Sequence, residues 1–94
     1  MFFNLFGKKN KSVSEMTDRE VLDKIRPLLT SMLGLEDSEV TLYAHLYNDL
    51  GCDELDFKEI MIALGEQFNY GVDPAADKGI KTVIDLIHAI KRYN

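Results

Sequence analysis

Three stretches of this chain carry apolar residues at the period of an α-helix, and none shows the every-second-residue alternation of a strand. In the first, Val21, Leu22, Ile25, Leu28, Leu29, Met32 and Leu33 recur with a 3.6-residue repeat. They follow Thr17 and Glu20, whose spacing is that of a capping box, and Gly34 supplies the stop. Pro27 falls inside this stretch, where it has no N–H for the Asp23 carbonyl, and a kink is expected there. The second stretch starts at Asp53, with Glu54 and Asp56 in a first turn whose free N–H groups favour anions. Its core residues are Phe57, Ile60, Met61, Leu64 and Phe68, and it ends around residues 69–71. Gly65 within it costs about 1 kcal/mol relative to Ala. The third, Val83, Leu86, Ile87 and Ile90, is capped by Thr82 and closes on Lys91 and Arg92. Pro74 opens a short helical turn over residues 74–78. Residues 35–52 read as a long loop, with Val40, Leu42, Leu46 and Leu50 turned inward and Gly51 as a turn. The expectation is an all-α fold, a small bundle of three longer helices and one short helix.

With 94 residues, 46% of them hydrophobic, the chain makes one domain with a modest core and no room for a large enzyme pocket. Charge excludes more. The net −5 argues against a nucleic-acid ligand and for basic protein partners. It is unevenly spread: Lys8, Lys9 and Lys11 put +3 on residues 1–12, leaving −8 on residues 13–94. Residues 1–13 therefore read as a flexible apolar and basic appendage, rich in Phe2, Phe3, Leu5 and Phe6, ahead of a domain over residues 14–94. Such a segment docks on a partner or touches an anionic surface, without stable membrane insertion. Its apolar part precedes its lysines and is short, unlike a signal peptide, and no stretch is long enough to span a bilayer. A cytoplasmic protein, monomeric when alone, is expected. The single cysteine, Cys52, forms no internal disulfide or zinc cluster.

At the entry to the second helix the chain reads Asp49-Leu50-Gly51-Cys52-Asp53-Glu54-Leu55-Asp56. This resembles the acyl carrier protein family, whose signature there is D-L-G-x-D-S-L-D. Leu33-Gly34-Leu35, Glu39-Val40-Thr41, Ala63-Leu64, Glu66-x-Phe68 and Ile80-x-Thr82-Val83 fall at the family's spacing without gaps. The resemblance covers about residues 17–93 and implies an acyl-carrier-protein-like four-helix bundle. In that family the serine of D-S-L bears 4′-phosphopantetheine, whose thiol carries the acyl group. The matching residue here is Glu54, and a carboxylate cannot make that stable phosphodiester. Ser12, Ser14, Ser31 and Ser38 lie elsewhere in the chain. No cofactor is expected on this reading.

Each candidate residue has a plain and a functional reading. Glu54 suits the first turn of a helix through the dipole; functionally, its carboxylate imitates the phosphate of a loaded carrier. Cys52 stands where the family often has alanine and suits a minor hydrophobe. A direct thioester there would be favoured by the helix start and opposed by Asp49, Asp53 and Glu54. Asp49, Asp53 and Asp56 crowd one junction without EF-hand spacing, so any divalent ion would bind weakly. His45 and His88 lie far apart and form no metal or catalytic motif. No nucleophile–base–orienter set is present, so no catalytic residue is assigned and no enzyme is expected.

The resemblance implies partner recognition by the second helix. The residues at issue are Asp53, Leu55, Asp56, Glu59, Ile62 and Glu66, meeting a basic surface. Lys58, Gly65 and Gln67 depart from that pattern, which implies a changed partner. The leading reading is a non-catalytic carrier-like protein that binds a partner through its acidic second helix. One alternative is an acyl carrier protein of fatty-acid, lipid or secondary-metabolite synthesis, with its serine replaced or charged at an atypical residue. Another is an inhibitor or immunity-type binding protein.

Overall fold

The computed structural model describes residues 13–68 and 79–92, and its helices are α1 (Asp18–Leu33), α2 (Glu54–Phe68) and α3 (Val83–Arg92). Short 3₁₀ turns occupy Val13–Glu15 and Asp37–Glu39. The expected turn over residues 74–78, the end of the second helix around residues 69–71 and the segment 1–12 lie outside the described residues.

Each helix starts where side chains can hold its free N–H groups. The Thr17 N–H donates to Glu20 Oε1 at 2.8 Å and the Glu20 N–H to Thr17 Oγ1 at 3.1 Å, the reciprocal pair expected from the spacing. The Gly34 and Leu35 amides both return to the Thr30 carbonyl, and Gly34 adopts φ 69°, a left-handed conformation that a side chain would strain. Pro27 sits on the exposed side of a helix that runs unbroken past it. At α3, Thr82 Oγ1 accepts from the Asp85 N–H at 3.2 Å. Asp85 Oδ2 accepts from the Lys81 and Thr82 amides at 3.0 and 3.1 Å. These donors hold the Asp85 carboxyl below the ordinary carboxylate range, the Lys81 amide acting most strongly.

The core gathers one face from each helix. Val21, Leu22, Ile25 and Leu29 meet Ile60, Met61, Leu64 and Phe68, and Val83, Leu86, Ile87, Ala89 and Ile90 complete it. Leu28, Met32, Leu33 and Phe57 are half-buried at its margin. So is Val13, the last residue of the segment expected to be an appendage, whose turn packs on α3.

The long loop is pinned rather than loose. Val40, Leu46 and Leu50 are buried as expected, Leu42 is half-buried, and Ala44 is buried as well. The Leu46 N–H donates to the Lys81 carbonyl at 2.8 Å, the Val83 N–H to Ala44 at 3.0 Å and the Ile84 N–H to Leu42 at 2.8 Å. An isolated antiparallel bridge pairs His45 with Thr82, and no strand occurs among the described residues. Arg26 holds the other end, its guanidinium donating to the Val40 carbonyl at 3.3 Å and to Asp23 at 2.9 Å. The loop therefore delivers residues 50–53 to the head of α2 in a set geometry.

Candidate functional site

His45 begins a compact turn that ends at α2. Its N–H donates to Asp49 Oδ2 at 2.8 Å, and its carbonyl accepts from the Asp49 and Leu50 amides. Its ring Nδ1 accepts from the Tyr47 and Asn48 amides at 3.2 and 3.1 Å, which leaves the proton of the neutral ring on Nε2. The Gly51 N–H donates to the Tyr47 carbonyl and the Cys52 N–H to that of Leu46. Gly51 makes the corner with φ 73°, the left-handed region favoured by glycine.

Helix α2 starts at Glu54, one residue later than expected, because Asp53 is its cap. The Asp56 N–H donates to Asp53 Oδ1 at 2.8 Å and the Asp53 N–H to Asp56 Oδ2 at 3.2 Å. Two aspartates thus form the reciprocal pair that threonine and glutamate form at α1. That Asp53 accepts from the first free N–H groups was expected from its short acidic side chain; the return bond to Asp56, a D-x-x-D spacing, was not. Both carboxylates named for partner recognition at this end are engaged with backbone, and Asp56 is half-buried. Asp49 is also engaged, with the His45 amide. Among the described residues no three His, Cys, Asp or Glu side chains converge as metal ligands.

Glu54 is the first residue of α2, exposed, and its side chain makes no hydrogen bond or ion pair with another described residue. Its neighbour in space is Tyr47, which sequence reasoning missed because nothing in a loop position reports a ring contact. The Tyr47 ring lies 6.1 Å from that of Phe57 and 6.1 Å from that of His45. Burial raises the Tyr47 hydroxyl pKa, and the charges of Cys52 and Glu54 raise it further. Cys52 points inward, with Sγ 3.5 Å from the Asp53 carbonyl. Burial pushes its thiol up to about 11, with Asp56 and Asp53 adding to the effect. Of the two opposed influences expected at Cys52, burial and the acids outweigh the helix start.

Along α2, Leu55 and Ile62 are 64% and 56% exposed, large values for apolar side chains. Glu59 and Glu66 are exposed beside them, as is Lys58. Gln67 is tied inward to α1, donating to the Lys24 carbonyl at 3.2 Å, and Gly65 is half-buried. His88 lies on α3, with Nε2 3.3 Å from Asp18 Oδ2, while Lys91 Nζ sits 3.0 Å from Asp18 Oδ1. No helix among the described residues is long and apolar enough to cross a membrane.

No protein-family model matches the chain. Among curated proteins it is 31% identical over 78 residues to the acyl carrier protein of Cyanidioschyzon merolae, an alignment covering 83% of this chain and 86% of that one.

Proposed function

The chain belongs to the acyl carrier protein family, and from that premise we propose that it is a non-catalytic carrier-like module that docks a partner protein through α2. The observation that carries this reading is Glu54 at the head of α2, where the family's signature has the attachment serine. The site does not fit 4′-phosphopantetheine. A carboxylate offers no hydroxyl oxygen for the phosphodiester, and Ser14, Ser31 and Ser38 belong to the first 3₁₀ turn, α1 and the second 3₁₀ turn. What Glu54 supplies instead is a fixed negative charge on the turn where a loaded carrier has its phosphate. The positive end of the α2 dipole stabilises that charge. Partner docking on a basic surface is supported by the exposed Leu55 and Ile62 with Glu59 and Glu66 beside them.

The likeness to an acyl carrier protein favours a second reading, a working acyl carrier. One experiment separates the two. The chain is incubated with coenzyme A and a broad-specificity phosphopantetheinyl transferase, and its intact mass is measured. No gain is expected, whereas Glu54→Ser should gain one arm if the turn into α2 is still legible to the transferase. A stoichiometric adduct on the unsubstituted chain would overturn the non-carrier reading.

A further inference from the structure

We propose that His45 is a pH-sensitive latch: gain of a proton on its ring releases the turn over residues 45–52 and loosens the head of α2. The inference goes beyond the docking reading and does not depend on it. His45 opens the turn as a cap. Its Nδ1 accepts from the Tyr47 and Asn48 amides at 3.2 and 3.1 Å. Its carbonyl accepts from the Asp49 and Leu50 amides at 2.9 and 3.0 Å, and its own N–H donates to Asp49 Oδ2 at 2.8 Å. Serine or asparagine in a cap makes such side-chain bonds with an oxygen that accepts at any pH near neutrality. An imidazole makes them only while neutral, because the imidazolium carries a proton on both nitrogens.

Protonation in place would set the new Nδ1–H against two amide N–H groups, three donors with no acceptor among them. The imidazolium therefore has to leave this position, and the ring is only half-buried, so the way out to water is short. Its departure acts on α2 by two routes. The ring lies 6.1 Å from that of Tyr47, which lies 6.1 Å from Phe57 on α2. Along the backbone, the Gly51 N–H donates to the Tyr47 carbonyl at 3.2 Å and the Cys52 N–H to that of Leu46 at 3.0 Å. These two bonds set residues 51–53 where Asp53 caps the helix. The bridge to Thr82 fastens the His45 backbone meanwhile, so the turn yields while the loop stays attached. The charged groups around the ring come from three elements. Asp49, on the same turn, and the face of Tyr47 favour a cation. On the segment bridged to His45, Lys81 opposes it, while the Asp85 carboxylate is occupied by the Lys81 and Thr82 amides. On α2, Glu54 lies within electrostatic reach of Tyr47. His45 makes no ion pair with another described residue. The acids thus draw an imidazolium off the amides and offer it no acceptor where it stands.

The test is an NMR titration of the full chain from about pH 7.5 to about pH 5, the interval in which an imidazole changes charge. It follows the ring protons of both histidines and the backbone amides, with His88, beside Asp18, as internal control. The amide resonances of Tyr47, Asn48, Gly51, Cys52 and Asp53 are expected to shift with the midpoint of the His45 ring and not with that of His88. In His45→Asn, which keeps an acceptor for the two amides without a titrating ring, those five resonances should stay in place. His45→Ser serves the same purpose if the first variant does not fold. A His45 ring that titrates while the five amides stay, or that takes up no proton over this range, overturns the latch. So do amides that move equally in His45→Asn, which would assign the change to Asp49 or Glu54. Movement confined to Tyr47 and Asn48 overturns the coupling to α2, and with it the proposal.

Discussion

Cys52 shows how the environment of one atom decides between chemistries that a residue type leaves open. A thiol just ahead of a helix is a candidate nucleophile when the helix start lowers its pKa. Here the side chain is turned into the core, and leaving water raises the cost of the thiolate more than the helix start lowers it. With the thiol near 11, only about one molecule in a thousand is ionised at pH 8. Iodoacetamide at that pH is therefore expected to alkylate native Cys52 at least tenfold more slowly than the same chain unfolded in guanidinium. Equal rates would show that Cys52 is accessible and would reopen a thioester there. Glu54, two residues on, meets the opposite environment: it faces water at the end of a dipole that favours its charge.

At the scale of the element, the three helices rely on similar caps built from different residues. The pairs are Thr17 with Glu20, Asp53 with Asp56, and Thr82 with Asp85. Between elements, one polar cluster ties the start of α1 to the end of α3. Asp18 meets Lys91 and His88, and the hydrogen bond from Lys91 is the chief reason its carboxyl lies below the ordinary range. A carboxyl with a lowered folded-state pKa contributes stability above its unfolded pKa of about 3.9 and loses it as pH falls through the folded value. Asp18→Asn is therefore expected to melt a few degrees lower than the unsubstituted chain at pH 6. That corresponds to the ~0.2–1 kcal/mol of a partly exposed pair. The difference should close in acid, as pH falls through the lowered folded-state value and protonation neutralises Asp18. Melting curves of both chains across that range check it, and a gap that persists in acid would mean that Asp18 acts through packing rather than charge.

For the molecule as a whole, the buried cluster runs from Val21 to Ile90 and draws on all three helices and the long loop. The apolar faces of the three helices make this cluster without drawing on residues 1–12, which lie outside the described residues, and the helical pattern starts only near Thr17. Removal of residues 1–12 is therefore expected to leave a cooperative melt within a few degrees of the full chain and to take the net charge from −5 to −8. A large loss of stability would show that Phe2, Phe3, Leu5 and Phe6 belong to this domain's core, since each is worth ~1.5–3 kcal/mol when fully buried.

Helix positions, their stops and most of the core were legible because they depend on local rules. A 3.6-residue apolar repeat must bury one face, and a left-handed turn selects glycine at positions 34 and 51. The signature around Glu54 was legible for the same reason, since it is contiguous. The rest required distant parts of the chain to be brought together. That Asp53 stays outside α2 follows from the turn nucleated by His45, which in turn is fastened to Lys81 through Leu46. Arg26 reads as a surface cation until Val40 is placed under it, and His88 reads as solitary until α3 lies beside Asp18. Most decisively, Leu55 and Ile62 belong to the same helical run as Ile60 and Met61. The 3.6-residue period already set Ile60 and Met61 on the core side and Leu55 and Ile62 away from it; what packing against α1 and α3 decided is how completely each side is lost to water, because burial is a property of the neighbours and not of the residue.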